Sequence, residues 1–112
     1  MTEIEQALPE TAGRGQLSKA VQRAAERYLG CMITVRELRL LPYVDYCLLN
    51  GGVIQGSKIN DEERRILRDW TERGLGEFVT ALKPGRRFYD AMNALLWEAY
   101  VLPVQRQLEE RS

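Results

Sequence analysis

The acidic side chains are the first candidates for chemistry in this sequence, because the chain contains no histidine. It therefore lacks the usual general base near neutral pH, the usual partner of a nucleophilic serine or cysteine, and the commonest metal ligand. Asp61, Glu62 and Glu63 form the densest carboxylate cluster, directly after Asn60. At a helix start, Asn60 caps and Glu63 completes a capping box, and acids are stabilised by the helix dipole. We therefore interpret this cluster as structural rather than catalytic.

The remaining candidates for chemistry are isolated. Asp45 and Asp90 lie among apolar residues, where burial would raise a carboxyl pKa, but no second group accompanies either one. We expect each carboxylate at the edge of the core or paired with an arginine. Cys31 and Cys47 are too few for a disulfide framework or a four-thiolate metal site, and we interpret both as small buried hydrophobic residues. The sequence predicts a protein that is not an enzyme and has no metal or cofactor.

Basic residues provide the main binding pattern. Lys19, Arg23 and Arg27 recur every fourth residue of the predicted helix Gln16–Leu29. They are either solvated cations beside a core helix or a surface that faces phosphates or acidic groups. The whole chain has 16 basic and 16 acidic residues, so no overall field draws it toward nucleic acid or an anionic membrane.

Helical periodicity covers most of the chain. The first helix, Gln16–Leu29, ends at Gly30, and its predicted buried face consists of Leu17, Ala20, Val21, Ala24, Tyr28 and Leu29. Thr34 and Glu37 match a capping box that begins the next helix. Because proline disrupts a helix interior, we expect two helices here, Val35–Leu41 and Pro42–Leu49. A further helix begins after Asn60 and ends at Gly74.

The most apolar segment is Lys83–Leu102, KPGRRFYDAMNALLWEAYVL. A turn at Pro84-Gly85 precedes a predicted central helix, Arg86–Leu102, which Pro103 interrupts or ends. This helix is apolar on nearly every face, and a small fold seldom covers one helix on all sides. The pattern therefore predicts a homo-oligomer, with the aromatic side chains of Trp97 and Tyr100 as the protein-interface candidates.

Strand signals are few. Leu75–Lys83 is predicted as a strand from its alternation and β-rich composition, and Val53–Ile59 as a loop with a short strand. The fold class is thus α+β and mostly α-helical, with four or five helices and a small two- or three-stranded sheet. Residues 1–15 are predicted to be a mobile N-terminal tail, residues 16–102 a single globular domain, and residues 103–112 a C-terminal tail or short helix.

The order of these elements resembles a winged-helix domain. The resemblance rests on Pro42–Asn50, Lys58–Ile59, Asn60–Gly74 and Leu75–Lys83. It implies that Asn60–Gly74 is a recognition helix and that the basic turn after Leu82 is a wing. The residues expected to contact DNA are then Arg65, Arg68, Lys83, Arg86 and Arg87. The size and composition also resemble those of small bacterial and phage proteins.

Two functions follow as hypotheses. The leading one is a non-catalytic regulatory or adaptor protein that binds another macromolecule, most often a protein, and the alternative is a winged-helix DNA-binding regulator. The segment Lys58–Gly74 balances its basic and acidic residues, which disfavours contact with phosphates. A continuous basic face that joins Gln16–Leu41 to Arg86 and Arg87 would reverse this preference.

No apolar run is long enough to span a membrane and no signal peptide is recognisable, so the sequence predicts a cytoplasmic protein without membrane contact.

Overall fold

Side-chain caps determine where three of the described helices begin. The structure is a computed structural model that describes residues 7–111. Helix α1, Lys19–Leu29, follows Ser18, whose hydroxyl accepts a hydrogen bond from the amide of Val21. Helix α2, Val35–Leu49, and helix α3, Asp61–Glu72, both begin with complete capping boxes. Those two boxes confirm the predicted helix starts, because each depends only on residues three positions apart.

The predicted division of α2 at Pro42 is wrong. One helix continues through Pro42, although this residue has no amide to donate to the preceding turn. Leu38, Leu41 and Val44 lie on one face of the helix and are almost completely buried. Burial of each such side chain contributes about 1.5–3 kcal/mol, which together exceeds the roughly 3 kcal/mol that an interior proline costs.

The predicted strand Leu75–Lys83 is also wrong, because this segment folds back on itself as a hairpin. Strand β1, Gly76–Glu77, pairs antiparallel with strand β2, Lys83–Pro84. The Glu77 carboxylate accepts hydrogen bonds from the amides of Val79 at 3.0 Å and Thr80 at 3.2 Å, and these bonds hold its pKa below the usual value. The Glu77 carboxylate thus stabilises a turn directly after β1. This turn favours a hairpin over the single strand that the alternation of apolar residues predicts.

Gly76 is required where the two short strands meet. Its φ is +146°, and a Cβ there would lie 2.6 Å from the Cα of Pro84. A side chain at this position would force the strands apart. Within residues 53–59 the predicted short strand is replaced by a 3₁₀ helix, Gly56–Lys58, whose Gly56 carbonyl accepts a hydrogen bond from Arg64.

The C-terminal helix does not end at Pro103 as predicted. Helix α4, Arg86–Leu96, passes through a π-helical segment, Trp97–Val101, into helix α5, Leu102–Arg111. We call Trp97–Val101 the π-turn. The amide of Leu102 bonds the carbonyl of Trp97, five residues earlier, instead of the residue four positions before it. The π-turn thus accommodates Pro103, which cannot donate a hydrogen bond to the carbonyl of Ala99.

The hydrophobic core surrounds α4. Helices α1 and α2 both pack against α4, which buries Phe88, Met92 and Leu95. Rings from three different elements meet at its start: Trp70 of α3, Phe78 after β1, and Phe88. Their centroids are 5.5 Å apart for Trp70 and Phe78, 4.8 Å for Trp70 and Phe88, and 4.7 Å for Phe78 and Phe88. Such tilted and edge-on contacts stabilise a core beyond simple burial.

The predicted fold class is confirmed. Residues 7–111 form one small compact domain, mostly helical, with one two-stranded antiparallel hairpin. The hairpin follows α3, where the resemblance to a winged helix places a wing, but its strands have only two residues each and a winged-helix fold is not shown. Within the described part of the chain, no helix is long and apolar enough to cross a membrane.

Candidate protein-binding surface

A groove of about 590 Å³ lies between α1 and the π-turn. Small side chains from α1 and α4 form its floor, and a half-exposed tryptophan, Trp97, forms one wall. It is lined by Ala20, Arg23, Ala24, Arg27, Tyr28, Ala94, Trp97 and Glu98. The sequence had assigned Ala20, Ala24 and Tyr28 to the buried face of α1. The structure centres that face on Val21 and Ala25 instead and leaves those three residues half-buried at the groove.

Two arginines of the predicted basic stripe border this groove, so its apolar floor has a positive edge. Arg23 is paired with the carboxylate of Glu10, and this hydrogen bond lowers the pKa of Glu10 and raises the pKa of Arg23. The Arg27 guanidinium carbon lies 5.6 Å from the centroid of the Tyr28 ring, a cation–π distance. The edge therefore offers one arginine already joined to a carboxylate and another that rests on an aromatic ring.

The chain before α1 packs on the same end of the molecule. We call residues 9–15 the strap. The carbonyl of Pro9 accepts a hydrogen bond from Lys19 at 2.8 Å, and the carbonyl of Glu10 accepts one from Ala20 at 3.1 Å. These amides belong to the first turn of α1, where no partner exists within the helix. Residues 9–15 of the predicted mobile tail are thus hydrogen-bonded to the fold, and residues 1–6 lie outside the described residues.

Gly15 connects the strap to the π-turn. Its amide donates to the carbonyl of Ala99 at 2.9 Å, which is the carbonyl that Pro103 leaves without an α-helical partner. The carbonyl of Gly15 in turn accepts a hydrogen bond from Arg39 at 3.1 Å. The irregular π-turn is therefore satisfied by the strap, and the strap is held between α2 and the C-terminal helix.

The two predicted interface aromatics have different surroundings. Trp97 lines the open groove, whereas Tyr100 lies beneath the strap, with the Arg14 guanidinium 5.8 Å from its ring centroid. Burial raises the pKa of the Tyr100 hydroxyl, although the nearby Arg39 and Arg14 act in the opposite direction. Of the two candidates, Trp97 is the one that is available to a partner.

The five DNA-contact candidates are spread over α3, β2 and α4. Arg65, Arg68 and Lys83 are exposed. Arg86 pairs with Asp90 at 3.3 Å, as expected for an isolated acid near an arginine. Arg87 donates to the carbonyl of Tyr28 at 2.7 Å, so its guanidinium binds the C-terminal end of α1.

The other basic residues are engaged at separate places. Arg36 pairs with Glu62 at 3.5 Å, Arg39 bonds the strap, and Arg23 bonds Glu10. Their partners belong to α3 and to the strap, whereas Arg87 bonds α1. These contacts pair the arginines with carboxylates and carbonyls of the same chain.

Sequence reasoning missed a cluster in which α1, α2 and α3 converge. One oxygen of Glu37 caps α2, and the other accepts a hydrogen bond from the Trp70 indole at 3.0 Å. Arg73 donates to the sulfur of Cys31 at 2.8 Å, and Cys31 is half-buried rather than buried as predicted, unlike Cys47. Burial by itself lowers the pKa of Arg73, but Cys31 and Asp69 outweigh it and the pKa is raised.

No short-range signal could have found this cluster, because Trp70 lies 33 residues from Glu37 and Arg73 lies 42 residues from Cys31. The carboxylates have structural partners: Glu63 caps α3, and Asp61 pairs with Arg64 at 2.9 Å. Within residues 7–111, no group of three or more His, Cys, Asp or Glu side chains could hold a metal ion.

Comparison of the chain with protein-family models, with curated proteins and with solved structures gave no match in any of the three.

Proposed function

We propose that this protein is a non-catalytic regulatory or adaptor protein that binds a segment of another protein in the groove between α1 and the π-turn. The observation that carries the proposal is the half-exposed Trp97 beside a floor of small alanines. A tryptophan wall over a shallow apolar floor is typical of the centre of a protein-binding site, where aromatic residues contribute most of the affinity.

The chemistry of the groove indicates the kind of segment that it accepts. Alanines at Ala20, Ala24 and Ala94 leave room for one or two apolar side chains. Arg27 at the edge complements an acidic residue on the same segment, whereas Arg23 is already paired with Glu10. The expected partner is an amphipathic helix or turn with apolar anchors and a neighbouring carboxylate, in the cytoplasm.

The alternative, DNA binding by a winged helix, requires other residues. It depends on Arg65 and Arg68 of α3 with the basic turn at Lys83, whereas protein binding depends on Arg27. Because both Arg27 and Arg65 are exposed arginines on helices, reversing each charge gives a matched pair of variants.

The test is a pull-down from the native cell with the full chain as bait, using one half treated with nuclease and one half untreated. We expect a protein to be recovered equally from both halves. Recovery should fall about tenfold or more with Arg27→Glu or Trp97→Ala and should persist with Arg65→Glu, since central interface residues often contribute at least 1.4 kcal/mol. Recovery of DNA that is lost on nuclease treatment and with Arg65→Glu would overturn the proposal.

A further inference from the structure

An apolar stripe continues from the groove along the C-terminal helix. It consists of Trp97, Val101, Val104 and Leu108, which are 49%, 37%, 41% and 61% exposed. We call these four residues the C-terminal stripe. The spacing of three and four residues places Val101, Val104 and Leu108 on one helix face, as in a coiled-coil seam, and Trp97 adjoins them through the π-turn.

The C-terminal stripe does not pack against the hydrophobic core of its own chain. Among the described residues, α5 makes its main contacts with the π-turn that precedes it, and Pro103 is its buried residue. The turns that carry Val104 and Leu108 therefore extend past the helices that pack around α4. An exposed apolar face of this kind in a small domain marks a surface that another molecule covers.

The stripe is complementary to itself. Its spacing is the same in both directions along the chain, so two copies in antiparallel orientation place Trp97 against Leu108 and Val101 against Val104. Each contact then occurs twice about a two-fold axis, as in an isologous interface. Trp97 and Leu108 meet at each end of the seam, and the two valines of each copy fill its centre.

The residues beside the stripe permit this pairing. Gln105 and Gln107 are uncharged, and in the antiparallel register they lie near Glu98 of the other copy. No two acids and no two arginines are brought together at the seam, so association carries no like-charge cost there.

We propose that a second copy of this chain covers the C-terminal stripe and forms a two-fold antiparallel dimer. Leu108 of the second copy lies on Trp97 and adds an outer wall to the groove, so that each groove is completed by the other copy. That last statement rests on the proposed function, whereas the dimer itself does not. A dimer with two grooves can hold two segments of one partner, which increases avidity without further contacts.

The length of the seam sets the expected strength. The stripe spans about three helical turns, or roughly 17 Å, so the interface is at the small end of specific protein contacts. We expect a dissociation constant in the micromolar range. Dimerisation then depends on protein concentration within the range that sedimentation measures.

Sedimentation equilibrium of the full chain from about 1 to 500 μM tests the dimer across that range. The unmodified chain should dimerise. Val104→Glu and, independently, Leu108→Glu should weaken the dimer at least tenfold, because each buries a charge in the seam. Gln55→Glu makes the same change at an exposed residue between α2 and α3, outside the stripe, and should leave the dimer intact. Circular dichroism establishes that every variant is folded.

A crosslinking experiment tests the register. In a Cys31→Ser background, a mixture of Val101→Cys and Val104→Cys chains should form mainly the mixed disulfide, because Val101 faces Val104 of the other copy. A monomer at 500 μM, equal association of Val104→Glu and the unmodified chain, or a preference for the two like disulfides would overturn the proposal. A dimer together with unchanged pull-down by Arg27→Glu would contradict the proposed function alone.

Discussion

Gly15 illustrates how one residue joins distant parts of the chain. It is buried with a φ of +70°, and a Cβ there would lie 3.2 Å from the Tyr100 hydroxyl. Gly15→Ala should therefore lower the free energy of unfolding by about 1–2 kcal/mol, the cost of a left-handed backbone with a side chain. Urea denaturation followed by tryptophan fluorescence measures this change.

Gly13→Ala is the matched control for Gly15. A Cβ at Gly13 would come no closer than 3.7 Å to a neighbouring atom, the Gln16 amide oxygen. We expect this variant to be within about 0.5 kcal/mol of the unmodified chain. Equal losses in the two variants would mean that the strap does not depend on the conformation of Gly15.

Glu37 caps α2, accepts a hydrogen bond from the Trp70 indole and lies 4.0 Å from Arg73, whereas its counterpart Glu63 caps α3. Glu37→Ala removes a helix cap and leaves the Trp70 indole without its acceptor, so we expect a loss of about 2–3 kcal/mol. Glu63→Ala removes a cap alone and should cost about 1 kcal/mol. Chemical denaturation of both variants gives the difference, and equal losses would show that the Glu37–Trp70 bond contributes nothing.

The range of each contact decides what the sequence could predict at this scale. The caps at Thr34 and Asn60 could be predicted because the partners lie three residues away. The bonds of Gln22, whose side chain donates to the carbonyl of Ile33 and accepts from its amide, could not. They depend on how the chain turns between α1 and α2, which no local pattern encodes.

The two prolines inside helices explain two of the errors at the scale of elements. Sequence rules treat an interior proline as a break, since it removes one hydrogen bond. At Pro42 the burial of neighbouring leucines outweighs that loss, and at Pro103 a π-turn and the strap supply other partners. Both compensations come from tertiary structure. The helix content is therefore predictable from the sequence, but whether a helix continues through each proline is not.

Pro103→Ala tests the link between the π-turn and the strap. Alanine restores an amide that can bond the carbonyl of Ala99 in an ordinary helix and thereby competes with Gly15. We expect hydrogen exchange of the Gly15 amide to accelerate about fivefold, consistent with losing a hydrogen bond worth roughly 1 kcal/mol.

Pro84→Ala serves as the control for Pro103→Ala. It makes the same replacement in β2, which no hydrogen bond among residues 7–111 joins to the strap, and should leave exchange at Gly15 unchanged. Nuclear magnetic resonance resolves the Gly15 amide in both variants. Unchanged exchange in Pro103→Ala would mean that the π-turn has another cause than the missing amide.

At the scale of the whole molecule, the sequence predicts the class and part of the candidate site. Helical periodicity established a mostly helical domain, and the two features that border the groove, the basic stripe and Trp97, were both recognisable. The sequence does not predict that the basic stripe and Trp97 lie beside each other. Their contact depends on the packing of α1 against α4 and on the change in helical phase at the π-turn. The sequence predicts the apolar excess of the C-terminal helix, but only the structure divides it into core, groove and exposed stripe.

That division predicts that the last turns of the chain can be removed without loss of the fold. A chain that ends at Pro103 keeps the buried Ala99 and the carbonyl that bonds Gly15, and loses only turns whose apolar side chains are exposed. We expect its free energy of unfolding to change by less than about 1 kcal/mol. A chain that ends at Leu96 loses Ala99 and Tyr100 together with the anchor of the strap, and should lose cooperative unfolding. Thermal melts followed by circular dichroism compare the two. Unfolding of the chain that ends at Pro103 would place α5 within the core and contradict the assignment of its exposed face to a partner.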